Sequence, residues 1–517
     1  LKKLLSVVET STQIVIYEPS INIFYKVFDN IDLSFLFADR IPALIVDGLN
    51  EDEKSGVIGN LVTLSNIEFI KHYENRNYVE LFSSQILKFL KVLDKRISDV
   101  IVGRNTQIRY SAVEMDNLFH NIKYLCDGSI TTQLCDIIPT DIPAIIVSAG
   151  PSLNKNIMEL KGAKNKAFIV AVDTAVRPLV NAGIIPDMYV IVDGLKPKEL
   201  LDFDEAKRIP LMSSITSTKK ILENHMGKKI FWFEGQQFIW SMMMMNGIPF
   251  STVACGGSVA CSAFSLVYKM GFSRIILVGQ DLALTGNKTH ADGTFKRFMD
   301  EIDTSHCIKV PGNYEKEVPT RGDFKLYLVW FNYYIEGCEG IHVINATEGG
   351  AKINNTEIMT LHEAIVRECS KEVDIDLCFE KLTPVFNSKQ REKAIEYLRT
   401  IPNMYRKLKE KVIKLNKEYN KLRIICMKKV IDNKAYLHIL ENVKKLTQEI
   451  EKHELYDTIS CTLTVANYII ESEQFYEEDT LVAEGVQIAK QGIEYTKMVE
   501  RCIDLFIPLT EETLSTL

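Results

Sequence analysis

The chain has 517 residues, 46% of them apolar and 25% charged, which suits a globular protein of about three domains and not a disordered or fibrous one. A net charge of −7 argues against a general binder of nucleic acid or of anionic membranes, and no stretch supplies the ~18 uninterrupted apolar residues of a membrane span. Eleven cysteines, an odd number without Cys-x-x-Cys pairs, point to free thiols in a reducing cytoplasm and away from a disulfide framework or zinc site.

Along the chain, residues 1–105 read as a small α/β lobe, with strand-like Gln13-Ile-Val-Ile-Tyr-Glu-Pro19 and Ala43-Leu-Ile-Val-Asp-Gly48 and a helical stretch at 78–99. Its first residues, Leu1-Lys-Lys-Leu-Leu, carry too short an apolar run for a signal peptide, so a cytoplasmic protein is expected. Residues 106–140 form a helical connector. The core, 141–370, alternates short apolar strands with helices such as 257–270 and 324–336, the pattern of a doubly wound parallel sheet. Residues 371–517 turn to Lys-, Glu- and Leu-rich helices at 388–431, 434–471 and 480–506, which should pack as a bundle. Within it Lys407, Lys409, Lys411, Lys414 and Lys417 form either a solvated face or a basic docking surface.

The core carries the chemistry. Pro143-Ala-Ile-Ile-Val-Ser-Ala-Gly-Pro-Ser-Leu-Asn154 runs from an apolar strand through a small-residue turn into a helix. Gly150 permits close backbone approach, Pro151 suits a first helical turn, and Ser148 and Ser152 add hydroxyls, a design that can hold a phosphate or serve as an ordinary strand-to-helix turn. It lacks both the Gly-x-Gly-x-x-Gly and the Gly-Lys-Ser/Thr signatures, so neither NAD nor a conventional ATPase is supported. Three further apolar strands end in Asp173, Asp193 and Asp281, which should converge at the carboxyl edge of the sheet. Gly256, Gly257 and Ser258 make a second small-residue entry into a helix. After Asp281 comes a polar loop with Lys288, Thr289, His290 and Asp292, in which His290 suits general-base work, with Asp281 as the other candidate. Thr289, Arg321, Asn345, Thr347 and Glu348 are weaker substrate contacts. Asp202-Phe-Asp204 and Asp374-Ile-Asp376 have a metal-compatible spacing, but each fits a solvated stretch better, and no metal is expected.

In order, Ile146-Val-Ser-Ala-Gly-Pro-Ser-Leu-Asn154, Val170-Ala-Val-Asp-Thr-Ala175, Pro186-Asp-Met-Tyr-Val-Ile-Val-Asp-Gly194, Gly256-Gly-Ser258, Val278-Gly-Gln-Asp-Leu282, Thr289-His-Ala291 and Asn345-Ala-Thr-Glu-Gly-Gly-Ala351 resemble the motility-associated factor (Maf) flagellin glycosyltransferases. The resemblance implies a Rossmann-like core of sialyltransferase type between an N-terminal lobe and a C-terminal helical region; the large surface of that region is assigned to flagellin docking, with self-association or stabilisation of the core as the alternative. It implies transfer of a pseudaminic- or legionaminic-type nonulosonic acid from its CMP conjugate to Ser or Thr of flagellin, without a tightly bound cofactor or metal. Ser148, Gly150, Pro151 and Ser152 would then face CMP, with Gly256, Gly257 and Ser258 as a second clamp and Asp173 and Asp193 beside them. The same core resembles the MptE-type 6-hydroxymethylpterin diphosphokinases, which would imply ATP and Mg²⁺. A flagellin-binding protein without catalysis is the third reading, and self-association of the chain is compatible with all three.

Overall fold

The computed structural model describes residues 8, 12–34, 42–63, 66–67, 69–295, 302–428, 432–463 and 481–517. The chain divides into two compact units. One comprises Leu1–Arg109, Lys414–Lys445 and Ser460–Val499; the other comprises Tyr110–Ile413, Leu446–Ile459 and Glu500–Leu517.

The first unit holds a two-stranded parallel sheet of β1 (Val15–Glu18) and β2 (Ala43–Val46). Tyr17 on β1 stacks on Phe89 with ring centroids 4.4 Å apart and donates its hydroxyl to Asp47 Oδ2 at 2.5 Å. Tyr78, from helix Arg76–Leu81, in turn donates to Glu18 Oε2 at 2.9 Å, so both acidic strand ends are held by tyrosine hydroxyls. The expected boundary at 105/106 falls inside one continuous helix, Ser83–Asp127, four residues before the boundary of the two units at Arg109 and Tyr110.

The second unit is built on a nine-stranded, wholly parallel sheet. Its strands are β3 (Ser129–Ile130), β4 (Ala144–Val147), β5 (Phe168–Val172), β6 (Met188–Ile191), β7 (Leu211–Ser214), β8 (Lys229–Trp232), β9 (Arg274–Val278), β12 (His342–Asn345) and β13 (Glu357–Ile358). A separate hairpin pairs β10 (Ile308–Val310) with β11 (Val318–Thr320). The spatial order is β13-β12-β9-β4-β5-β6-β7-β8-β3. Strands β4 to β7 are buried at every position because helices cover both faces, which is why β4, β5 and β6 read as unbroken apolar runs. The chain winds outward from β4 through β8, then returns to place β9 on the other side of β4. This is a Rossmann-like doubly wound fold, and its topological switch point lies between β4 and β9.

The C-terminal helices Ser388–Cys426, Asn433–Glu451 and Leu481–Ser515 form as expected from their spacing, while residues 429–431 and 464–480 of the expected helical stretches lie outside the described residues. Their residues divide between the two compact units. Parts of each count with the sheet unit, where Phe119, Tyr405 and Phe506 pack as one aromatic cluster and Thr513 Oγ1 donates to the Phe119 carbonyl at 2.7 Å. Among the lysines of the expected docking face, Lys409 pairs with Asp504 at 2.8 Å and Lys411 with Glu449 at 3.0 Å. Among the described residues no helix is long and apolar enough to cross a membrane.

Candidate functional site

The carboxyl edge of the sheet divides into a closed part and an open part. The closed part lies at the switch point. Ser148 Oγ donates to Gln280 Oε1 at 2.5 Å, the Gly150 amide to the Gly279 carbonyl at 2.8 Å, and Ser152 Oγ to Asp281 Oδ1 at 2.6 Å. The Ser152 amide also donates to the Asp281 carboxylate, at 3.2 and 3.3 Å. Leu153 and Asn154 donate their amides to the Gly150 and Pro151 carbonyls, and Pro151 has none. The loop therefore directs its amides inward, where a carboxylate of the protein itself takes the place expected for a phosphate. Only four residues of α-helix, Leu153–Asn156, follow.

Asp281 is 2% exposed, and burial raises its carboxyl above the usual carboxylate range against the opposing pull of the Ser152 hydrogen bonds. A group so enclosed pins two loops and has no path to an acceptor hydroxyl. The weaker expected contacts behave alike. Thr347 Oγ1 accepts the Gln280 amide at 3.1 Å, Asn345 Oδ1 accepts the Thr347 amide at 3.1 Å, and both side chains are wholly buried. Glu348 accepts from Asn156 Nδ2 at 3.1 Å. The Thr347 bond joins the ends of β9 and β12, and the Glu348 bond ties the loop after β12 to the helix after β4.

The loop after β9 is fastened to the same place. Ala291 donates its amide to the Ala149 carbonyl at 2.8 Å, and the Asp292 amide donates to Asn154 Oδ1 at 3.0 Å. His290, between buried Ala291 and Thr289, is half-buried, with Nδ1 2.9 Å from Thr289 Oγ1. Lys288 pairs with Asp292 at 3.0 Å. The imidazole is thus oriented by a neighbouring hydroxyl on a loop whose backbone is fixed to β4.

The open part lies at the ends of β5, β6 and β8. Asp173 opens helix Asp173–Asn181, is 2% exposed and pairs with Lys196 at 2.8 Å, so its charge is met within the protein. Asp193 is half-buried, accepting the Leu195 amide at 2.7 Å in a tight turn. Ser258 caps helix Val259–Lys269, accepting the Cys261 amide at 3.3 Å, and this helix packs over β4, β5 and β6. Helices in a parallel α/β sheet run against the strands, which brings this N-terminus to the carboxyl edge. Its first amides, of Val259 and Ala260, have no acceptor among the described residues. Replacing the cap, Ser258→Ala, is expected to lower stability by about 1 kcal/mol in urea unfolding.

Gly256 and Gly257 are shaped by the aromatic helix Gly322–Glu336. A Cβ on Gly256 would lie 2.5 Å from the Trp330 ring, and Gly257, at φ +83°, would bring one to 3.0 Å from Tyr327. Burial pushes the Tyr327 phenol up to about 12, so it stays a donor. Arg321 is paired with Asp323, Nε to Oδ1 at 3.0 Å, and lies 4.3 Å over the Phe324 ring. Asp202, from the expected metal pair, bridges to Lys207 at 2.6 Å; among the described residues no cluster of three His, Cys, Asp or Glu side chains is arranged to hold a metal ion.

Several site residues were not visible in sequence. Asn117 Nδ2 donates to the carbonyls of Gly194 at 3.0 Å and Thr216 at 3.1 Å, and Asn121 Nδ2 to those of Ile215 and Ser217, both at 2.8 Å. The end of helix Ser83–Asp127 thereby clamps the loops after β6 and β7. One turn earlier, Glu114 is held above the usual carboxylate range by burial, then by Asp193 and Glu234. The i, i+4 spacing of Asn117 and Asn121 on an otherwise apolar face was the available signal.

Residues 116–287 match the family described as 6-hydroxymethylpterin diphosphokinase MptE-like. An uncharacterised protein of Treponema pallidum (strain Nichols) is 26% identical over 125 residues, 24% of this chain and 58% of that protein's length. Among solved structures, the MAf glycosyltransferase from Magnetospirillum magneticum AMB-1 superposes with a TM-score of 0.56 at 14% identity, covering 98% of this chain and 76% of the other. The chain is therefore similar in fold, over nearly its whole length, to a Maf glycosyltransferase, and its sheet region is similar in sequence to the MptE-like family.

Proposed function

We propose that this protein is a glycosyltransferase that moves a nonulosonic acid from its CMP conjugate to Ser or Thr hydroxyls of flagellin in the cytoplasm. The observation that carries the reading is the shared fold with the Maf glycosyltransferase over 98% of the chain. The unpaired helix start at Ser258 supports it, because it offers amides and a favourable dipole to one phosphate. In this reading CMP lies against Gly256, Gly257 and Ser258, with Asp193 at the sugar side. The acceptor oxygen bonds to the anomeric carbon as the carbon–phosphate oxygen bond breaks, and CMP leaves with the electron pair. His290 takes the hydroxyl proton, and Asp281 holds the β4 and β9 loops without touching substrate. No metal takes part.

The match of residues 116–287 to the MptE-like family favours a second reading, an ATP-dependent diphosphokinase. Calorimetric titration separates them: CMP is expected to bind without Mg²⁺ and more tightly than ATP–Mg²⁺, and the reverse order selects the diphosphokinase. Intact-mass analysis of flagellin, incubated with the protein and a CMP-nonulosonate, should show one sugar increment per modified site. His290→Ala is expected to slow this about 100-fold with CMP affinity kept. Normal turnover in that variant removes His290 as the base, and CMP binding without transfer by the wild type leaves a flagellin-binding protein.

A further inference from the structure

The end of helix Ser83–Asp127 supplies a further wall to the open edge of the sheet. Tyr110, Glu114, Asn117 and Asn121 recur at i, i+4, i+7 and i+11, so they share one face of that helix. Both ends of this face are placed. Asn117 and Asn121 hold the loops after β6 and β7. At the other end Tyr110 lies within electrostatic reach of the Tyr327 phenol, whose ring would stand 3.0 Å from a Cβ on Gly257. Glu114 therefore lies between the Gly257 turn and the turn at Gly194, where its Cγ would be 3.5 Å from an added Cβ.

Glu114 is half-buried and makes no hydrogen bond or ion pair among the described residues. Its charged neighbours carry its own sign: Asp193 in the turn after β6 and Glu234 in the segment after β8. Lys219, on the helix after β7, is held by Asp116 at 2.7 Å. Cys255 donates its thiol to Glu234 Oε1 at 2.9 Å, which ties this corner to the Gly256 clamp. The Cys255 thiol, through burial and that hydrogen bond, and the Tyr327 phenol, through burial, are both pushed up to about 12 and stay neutral. Burial, then Asp193 and Glu234, raise the Glu114 carboxyl above its usual range. Where neighbouring carboxyls are driven apart in this way, the one that keeps its proton is suited to act as an acid.

We propose, on the glycosyl-transfer reading above, that Glu114 is the general acid of the reaction and protonates the phosphate oxygen that leaves the anomeric carbon. The electron pair of the breaking carbon–oxygen bond passes to that oxygen, and the Glu114 proton joins it. His290 collects the acceptor proton, so the protein gives one proton and gains one, and solvent restores both groups. A phosphate at Ser258 adds negative charge beside Glu114, which holds its proton more firmly until the bond breaks.

Titration calorimetry of the full chain with CMP, in buffers of different ionisation enthalpy from about pH 5 to about pH 8, tests this without flagellin. The wild type should take up more protons on binding than Glu114→Gln, which keeps the shape and neutrality of the group but has no acidic proton. Asp193→Asn should move the uptake to lower pH by removing one of the charges that retain the proton. In transfer assays Glu114→Gln is expected to lower kcat about 100-fold with donor KM little changed, and to abolish the fall in kcat at high pH. No CMP binding by the wild type overturns the glycosyl-transfer reading and this assignment with it. CMP binding with equal proton uptake in the wild type and Glu114→Gln, normal kcat in that variant, or an Asp193→Asn uptake profile that coincides with the wild type overturns the assignment of Glu114 alone.

Discussion

Gly150→Ala is expected to lower the stability of the protein by about 3 kcal/mol, an unusually large loss for one added methyl group. The Cβ would stand 2.0 Å from Asp281 Oδ1 and 2.5 Å from the Gly279 carbonyl oxygen. Neither neighbour can move cheaply. The carboxylate is held by the Ser152 amide and hydroxyl, and the Gly279 carbonyl accepts the Gly150 amide itself at 2.8 Å. Shifting either leaves buried polar groups unpaired, which adds to the overpacking. Asp281→Ala makes room but strands the Ser152 donors, so it too is destabilising. In the double variant the methyl enters space the carboxylate has left, and the combined loss should be smaller than the sum. Urea unfolding of the four proteins measures this. A loss below about 1 kcal/mol in Gly150→Ala, or strict additivity, means that the contact is not as tight as the geometry requires.

The same contact shows what the sequence could and could not disclose. Strands β4, β5, β6, β9 and β12 were legible because a parallel sheet covered on both faces demands unbroken apolar runs, and the doubly wound order followed from their alternation with helices. Strands β7 and β8 were not, since Leu211-Met-Ser-Ser214 and Lys229-Ile-Phe-Trp232 are four residues long and carry serines or a lysine. The small-residue loop at Gly150 was recognised as a place of close approach, yet nothing local said that the approaching group is Asp281, more than a hundred residues on. For Asp173 the same holds: a strand-end acid reads as a ligand contact until Lys196 is seen beside it. Glu114 and Asn117 belong to a helix that sequence assigned to a connector, and only the fold carries them to the loops after β6 and β7. The division of the C-terminal helices between two units was equally hidden, because amphipathic spacing reports that a face is buried and not against what.

His225 sets the second large effect, a fall in stability with acid that one substitution should remove. In the unfolded chain its imidazole takes a proton near ~6.5. In the folded protein burial, reinforced by Lys229, lowers that to about 3. Between these values the unfolded state binds more protons, so stability rises with pH through this window and is lost as pH falls from about 6.5 towards 3. The loss attributable to this one group is about 2 kcal/mol by pH 5 and about 4 kcal/mol by pH 3. Asp187 and Asp281 act with the opposite sign, since burial raises their carboxyls and the folded state then holds protons that the unfolded chain has released. The wild-type profile alone therefore mixes the two trends, and the difference from His225→Phe isolates the imidazole. Phenylalanine keeps an aromatic ring at the Tyr189 contact but cannot take a proton. Urea midpoints measured from pH 7 to pH 5 should fall more steeply for the wild type than for His225→Phe, by about 2 kcal/mol over the interval. Parallel profiles would mean that His225 titrates in the folded protein much as it does in the unfolded chain, and that its contact with Tyr189 is open to water.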